Sequence, residues 1–413
     1  KLPDVAAYKV PDVVEMGFAD TFLLPCSGAG TDDYLLLTAR SDASEIHRMP
    51  VTEVDQTQGA SLQTPAGFIG GMYDFTFYKN GKALDLGTAF VDVVDRTDVP
   101  QVPGSTVYGR VIDHTGKPIA GVSISDGVFV TATDDEGRYY LSSLKQRGYV
   151  FITVPAGYRA AVNRTIPQFF RRLSGSPQTY EQRSFVLAPE ANERHRMIVF
   201  TDTHLANRTN DAAQFTQFTT DLNAYMAQHS GQKMYALTLG DMTWDLYWYK
   251  NNYALPQYRE TINRQVKNLQ IYHTMGNHDN DFMTTSDYDA AVKYVDCIGP
   301  TFYSFNIGQV HYVVMDNIDC SAYDGTDSRN YVKKLSNEQL KWLAKDLAYV
   351  DKSTPLIVAM HAQIYKPTST GFAFDHDSAN TEALLAALDG YEVHFVTGHT
   401  HKVYNITPDD DVV

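Results

Sequence analysis

The chain reads Tyr235-Ala-Leu-Thr-Leu-Gly240-Asp241 near its middle, a short apolar run that ends in a glycine and an acidic residue. Similar apolar runs, each followed by polar residues, lie at Met197–Thr201, Ile271–Met275, Val310–Met315, Leu356–Met360 and Val393–Thr397. Short runs of this kind are typical of strands that are buried on both faces of a parallel sheet. Because helical patterns separate several of them, we predict an α/β layer domain over residues 193–413.

Two of the segments between these runs carry helix signals. Ser336-Asn-Glu-Gln339 has the order of a capping box, and apolar residues follow it at helical spacing. Ala379–Leu388 is amphipathic, and Gly390 lies just past its end. We predict a helix at each place.

The first half of the chain has an all-β pattern. Between residues 1 and 98, aromatic and β-branched runs flank Asn80-Gly81, which is a hairpin turn signal. The polar segment 95–104 contains prolines and predicts a linker. From Val107, short runs restart about every 8–12 residues, which predicts a small β-sandwich over residues 104–190 ending in the strand Phe185–Pro189. The predicted fold is therefore two all-β domains, 1–98 and 104–190, ahead of the third.

Composition restricts the partners of the protein. The chain has 34 Lys and Arg against 49 Asp and Glu, a net charge of −15. Nucleic-acid duplexes and anionic membranes are bound by basic faces, so neither is expected as a partner. No apolar run approaches the roughly 18–20 residues of a transmembrane helix. The three cysteines leave two alternatives, one Cys297–Cys320 disulfide or three free buried thiols.

Residues that can bind metal follow five of the apolar runs. They are Asp202 and His204, then Asp241, then Asn277 with His278 and Asp279, then His361, and finally His399 with His401. Ligands bind at the carboxyl ends of parallel strands, so we expect these residues to meet in one crevice. Residues i and i+2 at an extended strand end point the same way, and glycines at 240, 276 and 398 allow close approach. Carboxylate, imidazole and amide oxygen suit Mn, Fe, Zn or Mg.

This ordered set resembles the calcineurin-like metallophosphoesterase family over residues 196 to about 403. The resemblance implies an α/β/β/α sandwich that binds two divalent metal ions. It implies that Asp202, His204 and His401 bind the first ion, and that Asn277, His361 and His399 bind the second. Asp241 is then expected to bridge the two ions, with one carboxylate oxygen on each.

The same resemblance implies the chemistry. A metal-bridging hydroxide is expected to attack phosphorus in line with the leaving oxygen, without a phospho-enzyme. His278 is expected to lie over the site and to protonate the leaving group, while Asp279 orients its imidazole. The implied substrate is a small phosphorylated molecule, either a phosphodiester or a phosphomonoester.

Two departures from the family pattern narrow the substrate. After Gly240 the chain reads Asp-Met-Thr-Trp-Asp245, without the arginine that holds phosphate in the protein serine/threonine phosphatases of the family. Trp244 stands where purple acid phosphatases have a metal-binding tyrosine. Neither activity is expected, and the missing arginine favours phosphodiesters or small phosphorylated metabolites.

Three residues are candidates for substrate contact, namely Trp244, Asp245 and His376. The aromatic run Trp244–Tyr253 either forms a wall of the substrate pocket or packs on the core. His376 lies about a dozen residues after the strand that carries His361.

The sequence thus predicts an exported phosphatase or phosphodiesterase. The segment 104–190 resembles the transthyretin-like, carboxypeptidase-regulatory-type modules that precede enzymes in exported bacterial proteins, which implies a periplasmic or cell-surface location. The alternative is an exported glycan- or envelope-binding protein with a catalytically degenerate metal domain. Val403–Ile406 predicts one more strand, so the second sheet either closes there or needs a C-terminal portion that this sequence lacks.

Overall fold

Seven strands form one sheet at the start of the chain. The structure, a computed structural model, describes residues 1–406. The strands are β1 (Val13–Gly17), β2 (Thr21–Leu24), β3 (Tyr34–Ala39), β4 (Ile46–Asp55), β5 (Gly59–Gln63), β6 (Gly71–Lys79) and β7 (Lys82–Val94), in the spatial order β1-β7-β6-β3-β4-β5-β2. Asn80 and Gly81 have φ angles of +49° and +75°, as a tight hairpin turn between β6 and β7 requires. The predicted hairpin is confirmed.

Short strands in the next stretch form a separate set of sheets. They are β8 (Val107–Asp113), β9 (Ser123–Ser125), β10 (Val130–Ala132), β11 (Arg138–Leu141), β12 (Tyr149–Ile152), β13 (Tyr158–Ala160), β14 (Val162–Asn163), β15 (Ile166–Pro167), β16 (Phe170–Arg172), β17 (Glu181–Gln182) and β18 (Phe185–Pro189). One sheet has the order β10-β9-β12-β16 and another β11-β8-β18-β13, with β17 also paired to β8 and with β14 and β15 as a hairpin. The predicted strand Phe185–Pro189 is confirmed, and it lies between β8 and β13.

Strands and helices alternate in the remainder of the chain. The strands are β19 (His195–Phe200), β20 (Lys233–Thr238), β21 (Gln270–Tyr272), β22 (Tyr303–Ile307), β23 (Val310–Val314), β24 (Ile318–Asp319), β25 (Val332–Lys333), β26 (Leu356–Met360), β27 (Tyr365–Pro367), β28 (Phe372–Phe374) and β29 (Val393–Thr397). The helices are α1 (Asp211–Gln228), α2 (Leu255–Gln265), α3 (Asp287–Cys297), α4 (Asn337–Leu347) and α5 (Ser378–Ala387). Every predicted apolar run overlaps one of these strands, but the expected burial on both faces is wrong for β19 and β29, which are only partly buried, with Val199 44% exposed.

Two sheets of this region pack face to face. Parallel strands β19, β20 and β21 form the first, and β22-β23-β26-β29 form the second. Successive side chains of a strand point to opposite faces, so Leu237 faces the second sheet while Ala236 packs with α1, α2 and α3. Between the sheets the ring of Tyr272 stacks on that of Phe305 with centroids 3.6 Å apart. Helices α4 and α5 pack on the other side of the second sheet.

The β-sandwich shares its core with the second sheet. One continuous cluster of buried apolar side chains runs from β8–β18 into β22–β29 and α4. The rings of Phe151 and Trp342 meet at 6.1 Å, and the hydroxyls of Thr153 and Ser304 are hydrogen-bonded at 2.8 Å. The chain crosses from one region to the other near residue 193 without a break in apolar packing. The domain boundaries at 98–104 and 190–193 stay predictions.

Two local expectations differ from the structure. Val403–Ile406 lies outside any strand, with Val403 fully exposed, so the predicted strand is wrong; residues 407–413 lie outside the described part. Ser336 caps α4 by accepting from the amide of Gln339. The Gln339 side chain instead bonds the backbone of Asp316, so the capping box is only half formed.

The structure bears on two further expectations, the state of the cysteines and the absence of a transmembrane helix. All three cysteines are free thiols, with Cys26 and Cys320 buried and Cys297 partly exposed. Among residues 1–406 no helix is both long enough and apolar enough to cross a membrane.

Candidate metal centre

The predicted metal-binding residues converge where the two sheets meet. Each follows the carboxyl end of its strand, as predicted, but the backbone is not extended there. The φ angles are +54° at Asp202, +45° at His204, +52° at Asp241, +72° at His399 and +53° at His401. The predicted pairing of i and i+2 side chains along an extended strand end is therefore wrong: a left-handed turn brings Asp202 and His204 together, whereas His399 and His401 fall in different ligand groups. Such conformations cost about 1–3 kcal/mol each for non-glycine residues and cluster at functional sites.

One group of candidate ligands consists of Asp202, His204 and His401. Their ligand atoms lie within 4.8 Å of one another. The Oδ1 atom of Asp202 is 3.2 Å from Nε2 of His401 and 3.7 Å from Nε2 of His204. The other oxygen, Oδ2, accepts hydrogen bonds from the hydroxyl of Thr201 at 2.6 Å and from the amide of His399 at 3.0 Å. Outer partners thus orient the carboxylate so that Oδ1, which is buried and has no hydrogen-bond donor, faces the two imidazoles.

A second group lies around His361. Its Nε2 atom is 3.0 Å from Oδ1 of Asn277, 3.1 Å from Oδ2 of Asp241 and 3.1 Å from Nδ1 of His399. Its Nδ1 atom donates to the carbonyl of Leu239 at 2.7 Å, so in the neutral ring Nε2 carries a lone pair. Four lone-pair atoms then meet at one point in a fully buried place. Only a cation satisfies them together, so this donor set fits a metal ion.

Burial and neighbouring charges shift the pKa values of the histidines in this group. Burial disfavours the charged imidazole of His361, but the charge and hydrogen bond of Asp241, together with the charge of Asp202, outweigh it and raise the pKa of His361 to about 9. Burial, together with the charge of His361, lowers the pKa of His399 to about 4.

Asp241 joins the two groups through a single oxygen. Its Oδ2 atom is 3.2 Å from Nε2 of His204 and 3.1 Å from Nε2 of His361. Its Oδ1 atom accepts from the backbone amide of His278 at 2.8 Å. The expectation of one oxygen for each ion stays a prediction, because a carboxylate oxygen that accepts one hydrogen bond keeps a second lone pair. Burial opposes ionisation here, yet the charge of His361 and the adjacent hydrogen bonds hold the pKa of Asp241 well below 3.8.

Two of the predicted glycines lie so close to candidate ligands that no side chain fits there. A Cβ atom at Gly276 would lie 2.3 Å from both the amide nitrogen and Oδ1 of Asp241. A Cβ atom at Gly398 would lie 2.2 Å from Oγ1 of Thr201 and 2.6 Å from Oδ2 of Asp202. These glycines let the strand ends approach each other closely.

The carboxylate that contacts His278 is Asp245, not Asp279. Nδ1 of His278 lies 2.8 Å from Oδ1 of the fully buried Asp245. Asp279 is also fully buried, and its carboxylate accepts from the backbone amides of Thr243 and Gly276 at 3.0 Å each. The expected orienting role of Asp279 is thus contradicted, because its oxygens tie together the two loops that carry Asp241 and Asn277. Burial, and then the charge of Asp241, raises its pKa to about 6.

The candidate substrate residues separate into two sets. The ring of Trp244 lies 5.3 Å from the rings of both His204 and His278, so Trp244 lines the metal centre together with Asp245. Trp248, from the same aromatic run, is buried in the core. His376 is buried beside α5 and contacts Thr381 at 2.9 Å, so the structure does not bring it into the ligand groups.

Two arginines at the centre were not anticipated. The guanidinium of Arg329 is 2.9 Å from Oδ1 of Asp245 and 3.0 Å from Nδ1 of His278. That of Arg208 lies over the ring of Trp244, 4.6 Å from its centroid. Arg208 stands only four residues after His204 and could have been noticed from that spacing. Arg329 lies 84 residues from Asp245 in a polar stretch without a motif.

Comparison with known proteins agrees with this geometry. A family model described as calcineurin-like phosphoesterase matches residues 195–403, and one described as the N terminal of calcineurin-like phosphoesterase matches residues 105–190. No curated protein matches the chain. The second match assigns 105–190 to a segment of this family, and the resemblance to transthyretin-like modules is not confirmed. The family points to a metal-dependent phosphoester hydrolase, and the candidate ligand groups agree with metal binding. With its matched region covering half of its length, the chain belongs to the calcineurin-like phosphoesterase family.

Proposed function

We propose that the protein hydrolyses phosphate esters with the help of two divalent metal ions. Asp202, His204 and His401 would hold one ion, and a second group, Asn277, His361 and His399, would hold the other, with Oδ2 of Asp241 shared. The observation that carries this proposal is the meeting of four lone-pair atoms around Nε2 of His361. Bound divalent ions supply an activated water and balance the charge of a phosphoryl group.

The surrounding side chains would bind the substrate and move a proton. Asp245 engages Nδ1 of His278, which leaves Nε2 of that imidazole for the leaving oxygen of an ester. The ring of Trp244 packs against His204 and His278 and shields that side of the centre from water. Asp279 would hold the backbone of the two ligand loops in register.

The acidic composition of the chain is compatible with an anionic substrate. Two divalent ions bring about four positive charges into a crevice whose ligands include only two carboxylates, Asp202 and Asp241. The local field then attracts phosphate even though the whole chain has a net charge of −15.

The test combines metal analysis with hydrolysis. Protein loaded with Mn, Zn or Mg is desalted, its metal content is measured by mass spectrometry, and p-nitrophenyl phosphate and bis(p-nitrophenyl) phosphate are offered as substrates. Two ions per chain and hydrolysis of at least one ester are expected. Asp241→Asn should lose metal and activity, whereas Asp135→Asn, at an exposed turn position, should keep both.

A binding protein with a degenerate centre predicts the opposite result. Fully metal-loaded protein that hydrolyses neither ester with any of the three metals would contradict the proposed activity. Retention of both ions by Asp241→Asn would contradict the proposed ligand set.

A further inference from the structure

The connection between β24 and β25 reaches across the metal centre. We call residues 320–331 the 320–331 loop. At its start, the amide of Cys320 donates to Oδ1 of Asp287 at 2.8 Å, which fixes the loop to α3. At its end, the ring of Tyr331 meets the ring of His399 edge-on at 6.3 Å. Between these two anchors, Arg329 extends its side chain to His278. The loop therefore contacts both sides of the centre.

Arg329 is held in an unusual conformation. Its φ angle of +46° lies in the left-handed region, which non-glycine residues rarely adopt. The next turn is closed by a hydrogen bond from the amide of Tyr331 to the carbonyl of Arg329 at 2.9 Å. Backbone strain of this kind persists only where the surroundings hold it in place, and here it aims the guanidinium at Asp245.

Polar atoms at the end of this side chain lack partners. Nη1 of Arg329 donates to Oδ1 of Asp245, but its Nε–H is buried and has no acceptor. The second oxygen of Asp245 and the indole nitrogen of Trp244 are likewise buried without partners. The Arg329 side chain is still 22% exposed, and Nη2 makes no hydrogen bond among the described residues, so Nη2 and not the buried Nε–H faces an anion in the crevice. An arginine beside a candidate metal centre with an N–H to spare is suited to an anionic oxygen.

The number of non-ester oxygens on the phosphate group decides which kind of ester can accept a hydrogen bond from Arg329. A phosphomonoester has three oxygens outside the ester bond, whereas a phosphodiester has two. If two metal ions each take one oxygen, a monoester has one left to accept from a guanidinium. A diester offers only an ester oxygen at that place, which is a weak acceptor without charge.

We propose that Arg329 is a specificity-determining residue that donates to the third oxygen of a terminal phosphate, so that the protein prefers phosphomonoesters. This inference rests on the proposed hydrolase function and deepens it. It also narrows the sequence-based preference for phosphodiesters or small phosphorylated metabolites, which depended on the absence of an arginine directly after Asp245. The arginine is supplied instead by the 320–331 loop.

The experiment compares Arg329→Gln and Arg329→Lys with a control, Arg194→Gln, whose side chain is exposed and makes no described hydrogen bond. Metal content and thermal midpoint are measured first, and both should match the wild type. Binding of inorganic phosphate to the metal-loaded proteins is then measured by calorimetry. We expect Arg329→Gln to weaken it about 10- to 100-fold, the usual loss for one charge-assisted hydrogen bond, and Arg329→Lys to restore part of it.

Hydrolysis supplies the second readout. Arg329→Gln should lower kcat/KM for p-nitrophenyl phosphate about 10- to 100-fold, mainly through KM, and should lower it less for the bis ester. Unchanged phosphate affinity, or equal losses on the two esters, would overturn the role of Arg329. Because phosphate binding needs no turnover, a wild type without hydrolysis would end the hydrolase proposal and still leave the arginine contact measurable.

Discussion

Replacing Gly398 by alanine should disturb the ligand group that contains Asp202 and leave the other ligand group intact. The new Cβ would lie 2.2 Å from Oγ1 of Thr201 and 2.6 Å from Oδ2 of Asp202. Ordinary contacts begin near 3.4 Å, so these atoms must move apart by about 1 Å. The amide of residue 398 is tied to the carbonyl of His361 at 2.9 Å, which keeps the strand end from yielding. The carboxylate of Asp202 should therefore be displaced.

A displacement of that size is large for a metal ligand. Ligand distances tolerate only about 0.2 Å, and disturbance of the partners that orient a ligand costs about 10- to 100-fold in metal affinity. We expect Gly398→Ala to keep the ion held by Asn277, His361 and His399 and to bind the other one about 10- to 100-fold more weakly. A misplacement of about 1 Å also predicts a fall in kcat/KM of about 100-fold.

The assay is metal content after dialysis against a graded chelator, followed by phosphate ester hydrolysis. Gly231→Ala is the matched control, because a Cβ at that position meets no atom within 4 Å. Circular dichroism checks that both variants are folded. If Gly398→Ala retained two ions at wild-type affinity and the wild-type rate, Asp202 would not be a ligand that depends on this close approach.

Three further predictions concern buried side chains. Asp245→Asn should lower kcat about 100-fold with metal retained, whereas Asp279→Asn should mainly lower the thermal midpoint; the reverse pattern would contradict the contacts of His278. Burial, and then the charge of Asp287, raises the pKa of Asp316 well above 3.8. Above pH 3.8 this carboxyl ionises in the unfolded chain while it stays protonated in the folded protein, so the folded protein loses stability as pH rises. Asp316→Asn should therefore raise the thermal midpoint more at pH 8 than at pH 5, and an equal gain at both would refute this. Trp342→Ala should cost about 3–5 kcal/mol in urea unfolding, and an exposed-site change such as Tyr349→Ala far less.

Sequence patterns located the strands and the ligands because both are local. A short apolar run followed by a polar residue is a feature of adjacent positions, and parallel pairing then brings the strand ends together. The left-handed turns at Asp202 and His399 could not be predicted, since neither residue type requires them. At Asp202 the turn accompanies close packing of its carboxylate against Gly398, a contact between segments that are far apart in the chain.

Roles that depend on distant contacts were missed or assigned to the wrong residue. Asp279 was paired with His278 because the two are neighbours in the chain, yet adjacent residues of a turn face different directions. Arg329 reaches the centre from a loop whose course depends on the anchors at Asp287 and His399. No spacing rule connects it to Asp245. Motifs thus predict ligands on strands better than they predict residues brought in by long loops.

The division of the ligands between two sheets has a consequence for the order of assembly. Asp202 and His399, which touch each other, are 197 residues apart in the chain. During synthesis, the carboxylates of the first sheet leave the ribosome long before the histidines that follow β26 and β29. One ligand group needs His399 and the other needs His401, so neither can be complete until the residues after β29 have been made, and tight metal loading should follow the docking of that last strand. With the proposed ligand set, a bound metal would join segments that are made early and late in the synthesis of this domain.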